Sequence, residues 1–399
     1  MVQFTNILDN MVMMPMAPNL RNFFHLNSQE FGFLVSSYGI AAFISALIAS
    51  TFVDRFDRKK SLLFLYGGFI IGTTLCGFAD SYPILLAFRI LTGAFGGVVG
   101  SVILSIIGDS LPLEKRGRGM GILMSGFSLA AVIGVPLSIY FSETYSWNVP
   151  FYGIACLSLL IYIGAFSFVP NVTSHLQSAG KNNQVGLYRM ILKDSNLTFS
   201  IFFSISLIFA HFSIIPYISD FLVHNLGFNM KKELIFMYIL GGLLSSIAAP
   251  FFGKMADKYG RYKIYSILSL LAFIPLFALP HLNSHNFALM LLVSASFFIF
   301  SGGRMVPGQA MITSAVPARV RGGFMSLNSA FQALSMGLCA IIGGVIITND
   351  AENKLNHYEY LGYMGMIFTL LGILLGSRIK PYQEVKPKAT VQEEASIQI

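Results

Sequence analysis

The sequence predicts an all-α integral membrane protein with twelve transmembrane helices arranged as two six-helix pseudo-repeats. Three observations lead there. Apolar residues make up 55% of the 399 and charged residues 11%, whereas a soluble domain is roughly 25% charged. The apolar residues fall into twelve runs of about 20 residues, the length that crosses a hydrocarbon core. The charged stretch between two of those runs, Asp54-Arg55-Phe56-Asp57-Arg58-Lys59-Lys60, has a counterpart half a chain later in Gly253-Lys254-Met255-Ala256-Asp257-Lys258-Tyr259-Gly260-Arg261.

The runs lie near residues 2–24, 30–53, 61–80, 82–108, 119–142 and 149–169, then 197–223, 230–252, 262–281, 285–316, 322–349 and 358–379. They define a first bundle over 1–170, a polar linker over 171–196, a second bundle over 197–380 and a polar tail over 381–399. The linker holds one apolar patch, Leu187 to Leu192, suited to lying on a membrane surface. Cys76, Cys156 and Cys339 all fall inside apolar runs and are odd in number, so they imply packing and no disulfide framework. In the fourth run Gly93, Gly96, Gly97 and Gly100 repeat at the small-residue spacing of closely packed membrane helices.

The repeat extends beyond one loop. Asp54 and Asp257 are 203 positions apart, and Pro112-Leu113-Glu114-Lys115-Arg116-Gly117 returns 205 positions later as Pro317-Ala318-Arg319-Val320-Arg321-Gly322. A weaker echo aligns Pro15 with Pro216 at an offset of 201. Two charged loops in the same order at nearly one offset indicate a duplicated half.

These loops resemble the signature of the major facilitator superfamily, Gly-x-Leu-Ala-Asp-Arg-x-Gly-Arg-Lys, found between the second and third spans of each half. The downstream copy keeps Gly253, Asp257, Gly260 and Arg261, while Ser50 and Asp57 replace the upstream glycines. The resemblance covers about residues 1–380. It implies a conformational latch at Asp54, Arg55 and Arg58 and at Asp257, Lys258 and Arg261, and a central cavity lined by spans 1, 4, 7 and 10.

The formal net charge is +8, which on a soluble protein suggests nucleic acid. Here the positive charge is confined to short loops. Twenty of the 26 Lys and Arg share the side of the Asp54 loop, and the loop charges Arg21, Lys231, Lys232 and Lys354 lie opposite, with Arg89 and Arg304 inside spans. Cytoplasmic loops gather Lys and Arg, so both termini are expected in the cytoplasm, with the chain in the cell (inner) membrane and no nucleic-acid partner. Asn171-Val172-Thr173 and Asn196-Leu197-Thr198 match the glycosylation triplet, but that orientation places both on the cytoplasmic side.

An ionisable group at mid-membrane costs about 2.5–3.5 kcal/mol on insertion scales and usually faces a cavity or a partner. The spans hold Asp9, Arg89, His211, Asp220 and Arg304. These fall on spans 1, 4, 7 and 10, the helices that the resemblance makes functional. Leu8-Asp9-Asn10-Met11-Val12-Met13-Met14-Pro15 looks like the span 1 motif of proton-coupled drug exporters, and Leu85 to Gly93 around Arg89 resembles their span 4 motif. Burial and a neighbouring guanidinium pull a carboxyl's proton affinity in opposite directions, which makes Asp9 and Arg89 the expected proton-coupling pair. The alternative is a structural carboxylate paired with Arg89 or capped by hydroxyls. The fifth span departs from the exporter signature, with Ala130-Ala131-Val132-Ile133-Gly134-Val135-Pro136 lacking the final glycines. Arg304 sits on a span interrupted by Gly303 and Pro307, an interruption that marks transporter binding sites. With His211, Gln309, Asn328 and Gln332 it forms the expected substrate patch, with a packing role as the alternative for His211. Asp220 lies near the end of its span and reads as interfacial.

Neither a phosphate-loop motif nor a zinc-type His-Glu-x-x-His occurs, and no nucleophile-base pair or metal-ligand cluster is visible. The expected function is therefore not enzymatic. It is proton-coupled efflux of a small organic molecule by alternating access, by a monomer that needs no metal or cofactor beyond the proton gradient. A proton-coupled importer of a sugar, nucleoside or carboxylate on the same fold is the rival, and a non-transporting sensor or scaffold is the rival from another class. Cysteines introduced at Lys181 and Asn353 are expected to label from opposite membrane faces, Lys181 from the cytoplasm. Labelling of both from one face contradicts the twelve-span topology.

Overall fold

A computed structural model describes residues 1–49, 53, 56–110, 119, 121, 123, 125–170, 193–317 and 320–382. Asp54 and Arg55, the loop from Pro112 to Gly117, residues 171–192 of the linker and the tail from 383 lie outside the described residues.

Among the described residues eleven helices are long and apolar enough to cross a membrane. They are span 2 (Ser28–Ala49), span 3 (Arg58–Gly77), span 4 (Tyr82–Ile107), span 5 (Ser125–Thr144), span 6 (Val149–Phe168), span 7 (Ser195–Asn225), span 8 (Met230–Tyr259), span 9 (Arg261–Ala278), span 10 (Phe287–Ser314), span 11 (Arg321–Ile346) and span 12 (Glu359–Gly376). The first apolar run completes the twelve as a broken span 1.

Where the sequence reads one continuous helix from 2 to 24, the structure has two, Val2–Val12 and Ala17–Phe24. Pro15 brings no N–H to the turn between them, and Pro18 sits in the first turn of the second piece, where the missing N–H has no partner to lose. Span 7 breaks at the matching place. Its α-helix ends at Phe212, a 3₁₀ turn covers Ile215–Tyr217 around Pro216, and a wide π turn follows over Phe221–Asn225. Pro15 and Pro216 are the residues aligned at the 201 offset, so the break is itself repeated. Span 10 is interrupted at Arg304, between Phe287–Gly303 and Met305–Ser314. In span 5 a π turn over Ala130–Gly134 precedes Pro136 and makes room for its ring against the preceding turn.

Span 8 runs past its expected end near residue 252 to Tyr259, and Gly260 at φ +100° closes it, a conformation that side chains rarely adopt. Ala256 explains the extension, because it is buried against Ile264 and Leu268 of span 9. Asp257 and Lys258 therefore stand on a helix and not in a loop.

The duplication is visible in how the spans pack. Span 4 packs on spans 2 and 3, and span 6 on spans 3 and 1; likewise span 10 packs on spans 8 and 9, and span 12 on spans 9 and 7. The two sets meet along span 2 with span 11 and span 5 with span 8, two seams that exchange under the repeat. Glycine permits the closest approaches. A Cβ on Gly93 would lie 2.4 Å from the Tyr38 carbonyl oxygen of span 2, and one on Gly39 would lie 2.5 Å from that of Ala333 in span 11. At one end of the bundle stand Met1, the starts of spans 3, 9 and 11, and most of the described Lys and Arg; this is the basic end. The opposite end carries a short antiparallel ladder pairing Thr348 with Asn356 and Asn349 with Leu355.

Candidate functional site

The first helix of span 1 directs Asp9 into the packing between spans 1, 3 and 4, where it is fully buried. Arg89 of span 4 donates from Nη1 to Asp9 Oδ2 at 2.7 Å, and Thr73 of span 3 donates from Oγ1 to Oδ1 at 3.1 Å. Each carboxylate oxygen is thus engaged by a different helix. The guanidinium lies over the Tyr38 ring at 4.9 Å, an arrangement that favours the cation through the ring's negative face. Tyr38 donates in turn to Asn6 Oδ1 at 2.9 Å, and the Asn6 amide donates to the Gly96 carbonyl at 2.7 Å. Arg89 Nε is buried without a hydrogen bond. The sequence suggests Asp9 and Arg89 as partners and the structure brings them together. It also adds Thr73, Tyr38 and Asn6, which the sequence did not single out: the glycines of span 4 signal a close neighbour without naming the residue it presents.

The second six spans hold a different arrangement around Arg304. Its guanidinium donates to the Thr369 hydroxyl at 2.8 Å, the Ala210 carbonyl at 2.7 Å and the Ser301 hydroxyl at 3.0 Å. These are neutral oxygens from spans 12, 7 and 10. His211 shares Ser301 through Nδ1 at 2.9 Å and stacks on Phe297. His211 and Arg304 therefore meet as expected, but the rest of the expected patch is not gathered with them. Gln332 donates to Ser204 Oγ at 2.9 Å, Asn328 is buried with neither end of its amide hydrogen-bonded, and Gln309 is half-buried on the second piece of span 10.

Of the expected latch, Asp257 and Arg261 lie 3.9 Å apart on the exposed basic end, and Arg261 also donates to the Ala310 carbonyl at 3.1 Å. The ammonium of Lys258 lies over the Tyr259 ring. Arg58 is buried at the first turn of span 3, whose N-cap is Asp57, accepting from the backbone N–H of Lys59 at 2.7 Å. An acidic cap is favoured at this end of a helix dipole.

Arg21 and Asp220 differ most from the sequence reading. One counted as a loop charge and the other as interfacial, yet both are buried and form an ion pair that joins span 1 to span 7 at the end opposite the basic one. His224 Nδ1 lies 2.8 Å from the other Asp220 oxygen. Close by, the Tyr217 hydroxyl lies within hydrogen-bond distance of the Ser28 and Ala340 carbonyls, at 3.1 and 2.8 Å. This end is therefore closed between the two halves. At the basic end a cavity of about 630 Å³ lies among spans 1, 4 and 5, with Ser246 of span 8 on its wall, lined also by Gln3, Phe4, Ile107, Leu129 and Val132 among others. Asp9 is five residues beyond Phe4, about 7.5 Å along the helix axis. None of His211, Arg304, Gln309, Asn328 and Gln332 lines this cavity. Among the described residues no group of three or more His, Cys, Asp or Glu is placed to hold a metal ion.

The family model for the Major Facilitator Superfamily matches residues 1–283 and 232–398. The chain is 25% identical over 405 aligned positions to the uncharacterized MFS-type transporter YceJ of Bacillus subtilis (strain 168), covering 100% of this chain and 98% of the relative. It is 27% identical to the inner membrane transport protein YdhP of Escherichia coli (strain K12), covering 86% and 85%. In fold it is similar to a D-xylose-proton symporter, with a TM-score of 0.76 at 18% identity over 96% of this chain and 98% of the other. It is also similar to a bacterial homolog of the human lysosomal transporter Spinster, with a TM-score of 0.73 at 16% identity and 96% coverage of both.

Removing one member of a buried ion pair strands the other charge and costs about 3–5 kcal/mol, whereas replacing both by apolar groups is often close to neutral. Arg89→Met is therefore expected to lower stability by about that amount in detergent unfolding, and Asp9→Leu combined with Arg89→Met to recover most of the loss. Equal stability of Arg89→Met and the parent contradicts the pairing.

Proposed function

The chain belongs to the major facilitator superfamily of transporters, and we propose that it is a secondary transporter exporting a small organic molecule across the cell membrane in exchange for protons, with Asp9 as the group that carries the proton. The observation that carries this reading is the burial of Asp9 between Arg89 and Thr73, two helical turns or less from the cavity at the basic end.

As a carboxylate, Asp9 accepts from both donors and balances the guanidinium. Once protonated it no longer balances Arg89, whose charge is then held by the Tyr38 ring. Gain and loss of one proton therefore change the net charge buried among spans 1, 3 and 4 by one unit. A conformational equilibrium responds to a ligand only through differential affinity, and a buried charge that exists in one protonation state and not the other supplies such a difference. The halves over 1–170 and 197–380 then rock about the seams of spans 2 with 11 and 5 with 8. The Asp257 and Arg261 helix end, with its counterpart at Asp54, Arg55 and Arg58, acts at the basic end as the latch. That end faces the cytoplasm on the charge count, and both termini lie there.

Proton coupling is supported by the likeness to a D-xylose-proton symporter. The export direction is supported by the likeness of the sequences around Asp9 and Arg89 to exporter motifs. The work requires no cofactor beyond the proton gradient and no second copy of the chain.

Asp9→Asn keeps the shape and cannot exchange a proton. In proteoliposomes it is expected to abolish accumulation driven by a pH gradient while retaining downhill exchange of substrate. If Asp9→Asn still concentrates substrate with the parental pH profile, the carboxylate is structural. If the parent moves no substrate in either direction, the sensor or scaffold reading replaces this one.

A further inference from the structure

The end opposite the cavity is held by a cluster that the expected latch does not include. Arg21 belongs to the first half, on the second piece of span 1; Asp220 and His224 belong to the second half, one turn apart on span 7. Asp220 is fully buried and its two oxygens are divided, one to Arg21 across the halves and one to His224 Nδ1 within its own half. Arg21 is fixed by a second bond, Nε donating to the Leu26 carbonyl at 3.2 Å. His224 is the most exposed of the three, its side chain 13% accessible.

We propose that Arg21, Asp220 and His224 form a proton-operated clasp that holds the outer side of the transporter shut. Its logic is competition for one carboxylate. With His224 neutral, the second half presents a net negative charge to Arg21, and the ion pair draws the halves together. With His224 protonated, Asp220 is balanced from within its own half and the net attraction for Arg21 falls. Acid on that side thus weakens the clasp and favours opening. Histidine is the usual pH-sensing side chain of such switches.

The other histidine tied to this part of span 7, His285, contacts the Leu226 carbonyl and Glu233, all within the second half, and so does not bridge to Arg21. Tyr217 of the same span engages the Ser28 and Ala340 carbonyls, Tyr238 of span 8 pairs with Ser219, and Tyr358 at the start of span 12 donates to the Ile214 carbonyl. A phenol stays neutral at and below neutral pH. The flanking helix breaks at Pro15 and Pro216 set the clasp on short separate pieces of spans 1 and 7, which lets it part without unwinding the helices that carry Asp9 and His211.

The inference rests on alternating access and on the charge-based orientation, but not on Asp9, and it is tested without transport. Asp80 and Asn283 are exposed on the outer loops of the two halves. With Cys156, an exposed native thiol, replaced by Ser, spin labels at Asp80→Cys and Asn283→Cys report their separation by pulsed electron resonance in nanodiscs. Between pH 8 and pH 5 the ratio of long to short separations is expected to rise about tenfold. Asp220→Asn is expected to show the long separation at both pH values. His224→Gln is expected to stay closed at both, and Arg21→Asp with Asp220→Arg to restore closure at pH 8. Parental pH dependence in His224→Gln, or a short separation in Asp220→Asn, overturns the clasp. Repeating the series in Asp9→Asn separates the two sites: a clasp that still responds to pH there stands whatever role Asp9 has.

Discussion

The ion pair between Asp9 and Arg89 is the constraint on which the first half depends. Two opposite charges placed among apolar helices are tolerated because each is met with geometry that water would otherwise supply: two donors on the carboxylate, and a carboxylate and an aromatic face on the guanidinium. That arrangement fixes the relative position of spans 1, 3 and 4 and brings span 2 in through Tyr38. The absence of side chains at Gly93 and Gly97 then allows span 4 to meet span 2 backbone to backbone. Packing and chemistry share the same few residues, so a change of protonation at Asp9 bears directly on how four helices fit.

The second half repeats the scaffold without a counterpart to the proposed switch. At the 201 offset that aligns Pro15 with Pro216, Ala210 stands where Asp9 would be, and its carbonyl accepts from Arg304. Thr369 and Ser301 complete a cradle of neutral oxygens. A guanidinium keeps its proton in any protein setting, so this site is a fixed charge. In our account the first half changes charge during the cycle and the second half does not, and the clasp at Arg21 and Asp220 connects the two.

Much of this was legible in the sequence. Run lengths identified the spans, the duplicated loops revealed the repeat, and the rarity of in-span charges pointed to Asp9, Arg89 and Arg304. The weak echo at Pro15 and Pro216 read only as a trace of the duplication and the breaks there were not foreseen, because a run of apolar residues looks the same whether its helix is whole or split. Side-chain direction was not legible. Arg304 lies beside Gly303 and near Pro307 like a binding-site residue, yet it turns into the packing of spans 7, 10 and 12, while Asn328 and Gln332 lie apart from it. Arg21 read as a loop charge because it closes an apolar run. Its partner is 199 residues away, a separation over which local pattern carries no information. Asp257 read as a loop residue because charge usually ends a span, whereas the contact of Ala256 with span 9 carries the helix further.

The central claim is that Asp9 gains and loses a proton in the folded protein. Infrared difference spectra between alkaline and acid pH report this directly, since a protonated carboxyl group has a carbonyl stretch that a carboxylate lacks. The account predicts a component of such a band in the parent protein that shifts when aspartate is isotopically labelled at its carboxyl carbon and is missing from Asp9→Asn. A band that persists unchanged in Asp9→Asn, or no difference between that variant and the parent, would contradict it.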